Sequence, residues 1–66
     1  MIMRVYSVLL HDGERYDFLG VFGSFEDAEA FIRGREGFIR GWYQFGVVGS
    51  ELGEEVDFLC HVDWIQ

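Results

Sequence analysis

The sequence predicts a small α+β domain: a four-stranded, mainly antiparallel sheet with elements in the order β-β-α-β-β and one helix packed on one face. Three observations carry that expectation. Residues 24 to 35 place apolar side chains at helical spacing, residues 56 to 65 alternate with a period of two, and turn residues separate the other β-rich runs. At 66 residues the chain is expected to form one domain, residues 1–66, close to the lower size at which a single core suffices without a metal or disulfide. Half the residues are hydrophobic and 18% aromatic, so that core must be dense, and disorder is disfavoured despite the charge.

Residues 2–11 are apolar on both alternating faces, with Met3, Val5 and Leu9 on one and Ile2, Tyr6, Val8 and Leu10 on the other, as in a central strand. His11-Asp12-Gly13-Glu14-Arg15 reads as a turn, because Asp-Gly accepts positive φ at little cost. Tyr16–Phe22 forms a second strand in which Gly20 marks a bulge or a close backbone approach.

The helix starts at Ser24, whose hydroxyl can accept a first-turn N–H, with Asp27 in the position of a capping-box acid. Phe25, Ala28, Phe31, Ile32 and the stem of Arg35 fall on one arc, and Glu26, Asp27, Glu29 and Arg33 fall opposite. Gly34 or Gly37 is expected to end it in a left-handed conformation. Residues 34–41 form a glycine-punctuated connection. Residues 42–51 read as a third strand, placed near an edge or bulged by Gly46 and Gly49, and residues 52–55 turn it.

In the fourth strand Val56, Phe58, Cys60, Val62 and Trp64 face one way and Asp57, Leu59, His61, Asp63 and Ile65 the other. A right-handed crossover suggests the first and last strands side by side in the middle of the sheet. The expected core includes Val5, Val21, Ala28, Phe31, Ile32, Phe58, Cys60 and Val62. One short helix cannot cover both faces of four strands, so one face is expected open, with some of Tyr6, Tyr16, Trp42 and Tyr43 exposed on it.

Neither a catalytic nor a cofactor-binding motif occurs, and no enzyme, cofactor or metal is expected. Asp57, His61 and Asp63 share a strand face, but no ligand-spacing pattern accompanies them and Cys60 points away. Cys60 is the single cysteine, which excludes an intramolecular disulfide. Gly34-Arg35-Glu36-Gly37 has neither phosphate-loop spacing nor a lysine. The apolar N-terminal run contains Arg4 and no cleavage site, so neither a signal peptide nor a membrane span is expected there.

Charge is the informative property. Twelve acids face five Lys+Arg, all of them arginine, for a net charge of −7. Such a surface repels nucleic acid and anionic membrane and attracts basic protein surfaces, while also serving solubility. Three arginines, Arg33, Arg35 and Arg40, lie between residues 33 and 41 and are expected to pair internally with helix acids. The acids cluster as Glu51, Glu54, Glu55, Asp57 and Asp63 near the last turn and strand, with Glu26, Asp27 and Glu29 on the helix as a second patch. Same-face carboxylates on a strand repeat about every 6.6 Å, roughly two axial phosphate steps of one DNA strand.

In size, acidity, lack of lysine, aromatic content and β-β-α-β-β pattern, the chain resembles the small anti-CRISPR inhibitors encoded by phages and mobile elements. Val21–Ile32 also resembles the strand-to-helix step of short phage and bacterial domains. The resemblance implies binding to a CRISPR effector, often a type I surveillance complex, in the host cytoplasm, so that target DNA is not engaged. It carries over no functional residue. The expected function is therefore a monomeric inhibitor that meets the basic surface of a host nucleic-acid-binding complex through the acids named above. The alternative is a generic protein-interaction module that binds through an exposed aromatic sheet face.

Overall fold

A computed structural model describes residues 3–51 and 62–66. The elements are β1 (Arg4–His11), β2 (Tyr16–Phe22), α1 (Phe25–Arg33), α2 (Glu36–Ile39), β3 (Gln44–Glu51) and β4 (Asp63–Ile65). The four strands form one sheet in the order β2-β1-β3-β4, and every pairing is antiparallel. The α+β expectation holds, with α2 as an extra helical turn inside the connection that follows α1.

The strand order differs from expectation. β1 lies between β2 and β3, and β4 pairs at the edge with β3 rather than in the middle with β1. A central strand must offer ladder bonds on both sides. β3 matches β1 over eight consecutive pairs, from Arg4↔Glu51 to His11↔Gln44, whereas among the described residues β4 supplies three pairs to β3.

β3 is thus central, and its glycines serve close approach rather than an edge. A Cβ at Gly46 would run into Val62 Cγ1 and would meet the Trp64 ring at 3.0 Å, and one at Gly49 would meet the Tyr6 ring at 3.2 Å. Gly20 does adjoin a bulge. Val8 pairs with Gly20 and Leu9 with Phe18, leaving Leu19 as the extra residue.

Ser24 caps α1 as expected, its Oγ accepting the Asp27 N–H at 3.2 Å. Among the described residues the Asp27 carboxylate makes no return bond. Neither Gly34 nor Gly37 is left-handed; Gly34 closes α1 at φ −85°, and the positive φ values belong to Gly13 and Gly41. The local reason is that the chain turns straight into α2, so it has no need of the reversal that a left-handed residue produces.

α1 packs on the sheet through Ala28 and Ile32, which are buried with Val8, Phe45 and Val47. Tyr6, Leu10, Phe22, Phe31 and Phe38 close around them. Phe22 meets Phe31 at 5.1 Å between ring centroids, Tyr6 meets Phe25 edge-on, and the Arg35 guanidinium lies over Phe31. Val21, expected in the core, is 58% exposed. Its neighbour Phe22 takes the helix side of β2, so Val21 must face away, and β2 is an edge strand with a neighbour on one side only. Val5 and Val62 are half-buried. Phe58 and Cys60 lie outside the described residues.

The face away from α1 is less open than expected. Ser7, Leu9 and Val48 are buried there in the middle of the sheet, while Tyr16, Phe18 and Val21 remain exposed along β2. Trp64 and Val62 lie against the bare backbone of Gly46, which is the register neighbour of Leu9.

Candidate functional site

Of the acids assigned to a partner surface, Glu54, Glu55 and Asp57 lie outside the described residues. So do His61 and Cys60. Glu26 and Asp27 are exposed in the first turn of α1, where their charge also favours the positive end of the helix dipole. Glu29 is half-buried and tied to Arg33 at 3.1 Å, and Arg33 also donates to the Gln66 carbonyl at 3.4 Å. Glu51 is exposed at the end of β3, opposite Arg4 in the ladder. Asp63 is exposed on β4 and, as the partner of Val47, sits on the α1 side of the sheet.

The fold brings part of this set together. Phe25 packs on Tyr6, and Tyr6 is the register partner of Gly49. The start of α1 therefore lies at the same end of the sheet as Glu51. Glu26, Asp27 and Glu51 share that end, whereas Asp63 lies nearer the middle of β3. None of these four carboxylates forms an ion pair among the described residues.

Of the arginines of residues 33–41, expected to pair with helix acids, two do so and the third meets a ring instead. Arg33 pairs with Glu29 and Arg40 with Glu36, and Arg35 stacks on Phe31. These exposed pairs contribute little stability, and their guanidinium groups stay in contact with solvent.

The opposite end of the sheet carries two of the aromatic residues expected to be exposed. Trp42 and Tyr43 precede β3 rather than belonging to it, and they are 59% and 42% exposed. Gly41, at φ +73°, reverses the chain after α2, and the Trp42 N–H then donates to the Gly37 carbonyl at 2.9 Å. The Trp42 backbone is anchored and its ring projects. Tyr43 lies against the bare backbone of Gly37 and meets Phe45 edge-on.

An open cleft flanks this ridge on each side. One, of about 370 Å³, includes Leu10, Arg35, Glu36 and Phe45 in its lining, and the other, of about 330 Å³, includes His11, Asp12, Gly13 and Gln44. In the second, Asp12 Oδ1 accepts the Glu14 and Arg15 N–H groups at 2.9 and 2.8 Å. Those bonds hold the Asp12 carboxyl below its ordinary value of 3.8, so it is ionised at neutral pH. His11 stacks on Tyr16 at 4.3 Å between ring centroids and approaches Gln44 Oε1 with Nδ1 at 3.4 Å.

Among the described residues no three His, Cys, Asp or Glu side chains converge as a metal site, and no helix is long and apolar enough to cross a membrane. Comparison with models of protein families, with curated proteins and with solved structures finds no match to the chain.

Proposed function

We propose that this protein binds a basic protein surface and acts as a small inhibitor of a nucleic-acid-binding complex, occupying the surface that would otherwise engage target DNA. The supporting observation is that Glu26, Asp27, Glu51 and Asp63 are exposed and unpaired among the described residues, while Arg33 and Arg40 each have a carboxylate partner within their own helical segment and Arg35 lies over Phe31. The unpaired carboxylates and the net charge of −7 both favour a basic partner. A CRISPR effector is the leading candidate partner on the resemblance in size, charge and pattern, and Glu54, Glu55 and Asp57 belong to the same proposed contact.

Each carboxylate facing a Lys or Arg at a partly wet interface contributes on the order of 1 kcal/mol or less, so clustered reversals matter more than single ones. In a target-DNA binding assay with the effector, the parent suppresses binding. Replacing Glu54, Glu55 and Asp57 together by Lys weakens that suppression by about tenfold or more. A folded triple variant that suppresses as well as the parent removes those three carboxylates from the contact.

A second proposal, an interaction module anchored by aromatic side chains, is favoured by the exposure of Tyr16, Trp42, Tyr43 and Trp64. Salt separates the two. Apolar contacts change little between low and moderate salt, whereas contacts made by charge weaken steeply.

A further inference from the structure

We propose that the cleft between Trp42 and Asp12 is a docking site for an arginine side chain of the partner. This rests on the proposal that the partner is basic, and it names a contact at the end of the sheet away from Glu26, Asp27 and Glu51.

Three features of the cleft point to that occupant. Trp42 offers an exposed ring on an anchored backbone, so little freedom is lost when a planar cation stacks on it. Asp12 is held in place by two N–H bonds that both use Oδ1, which leaves Oδ2 without a hydrogen bond among the described residues and open to a donor. Gly13 and Gly41 border the space with no side chain, and a Cβ built at either meets nothing within 4 Å.

The cleft's volume of about 330 Å³ is at the small end for ligand sites, which suits one side chain better than a large cofactor. No Lys or Arg lines it and Asp12 is its carboxylate, with His11 in the lining and Arg15 near enough to act on that carboxylate from outside it. The neighbouring cleft, by contrast, sets Arg35 beside Glu36 and has no such bias. Arginine fits better than lysine because a guanidinium can stack on an indole face while its in-plane N–H groups donate to a carboxylate.

The contact can be tested with a capped hexa-arginine peptide, titrated at moderate salt into the isotope-labelled protein and followed by NMR. Hexa-lysine and hexa-citrulline serve as controls. The expected result is saturable shifts of the Trp42 indole N–H and the Gly13 and Gly41 amides, with weaker binding of hexa-lysine and none of hexa-citrulline. Trp42→Ala and Asp12→Asn each lower the affinity about two- to fivefold, and Trp42→Phe retains more of it than Trp42→Ala. Asn keeps an acceptor oxygen for the Glu14 and Arg15 N–H groups, so Asp12→Asn removes the charge while preserving the turn.

Hexa-arginine binding that shifts Glu26 and Glu51 instead, and that neither substitution changes, overturns the cleft assignment and leaves a basic partner standing. Equal affinity for hexa-arginine and hexa-lysine overturns the arginine assignment. Absence of binding by either cationic peptide overturns the cleft and counts against the basic partner as well.

Discussion

Replacing Gly46 by alanine sets local propensity against tertiary packing, because the two predict opposite signs. A glycine inside a strand is about 0.5–1 kcal/mol less favourable than alanine, so propensity alone makes Gly46→Ala stabilising. In the fold, the new Cβ would run into Val62 and come within 3.0 Å of the Trp64 ring. Overpacking of that kind costs about 1–3 kcal/mol, which leaves a net loss of up to about 2.5 kcal/mol after the backbone gain. The loss is bounded because Trp64 is 39% exposed and sits on a three-residue edge strand that can yield outward. For a domain of this size the loss corresponds to a Tm lower by up to about 20 °C. Thermal unfolding followed by circular dichroism measures it, and tryptophan fluorescence reports whether Trp64 becomes more exposed. Gly23→Ala is the internal control: φ is not positive there and no atom lies within 4 Å of the new Cβ, so it should raise stability by about 0.4–1 kcal/mol. A Gly46→Ala protein that melts above the parent temperature, with Gly23→Ala behaving as stated, would refute the packing of Val62 and Trp64 over β3.

Other predictions concern the core and the first turn. Ile32→Ala, at a fully buried site under the sheet, should cost about 2–5 kcal/mol, comparable to the whole stability of so small a domain. Phe31→Ala should cost less than the usual 3–5 kcal/mol for a buried phenylalanine, since Phe31 is only half-buried; chemical denaturation of both variants gives the comparison. For Asp12 the folded carboxyl lies below 3.8, so its contribution is present above that pH and is lost as pH falls through the lowered folded value. An NMR titration of the Asp12 carboxyl carbon should show a midpoint below 3.8, and the Tm difference between the parent and Asp12→Asn should close on acidification.

The features legible in the sequence are those whose causes are local. Ser24 caps α1 because its hydroxyl needs only the Asp27 N–H three residues on, and Asp12-Gly13 turns because the Asp12 carboxylate accepts the N–H groups two and three residues on and Gly13 accepts φ of 102°. The net charge and the i,i+4 pairs Glu29–Arg33 and Glu36–Arg40 also follow from residue types and spacing alone.

Tertiary structure decided what depends on neighbours distant in sequence. Gly46 and Gly49 suggest an edge when taken alone, but their meaning comes from Trp64, Val62 and Tyr6 lying against them. Val21 is apolar and strand-forming, and only the placement of β2 at the edge, with Phe22 toward α1, puts it in solvent. The acids are countable in the sequence, but their grouping is set by the packing of α1 against β1. The Trp42–Asp12 cleft is non-local in the same way: the β1–β3 ladder closes on the pair His11↔Gln44, and that register brings the turn after β1 beside the residues that precede β3. Turns and caps are specified by bonds between close neighbours, whereas strand order and site geometry depend on ladder bonds and contacts that exist only once the whole sheet has assembled.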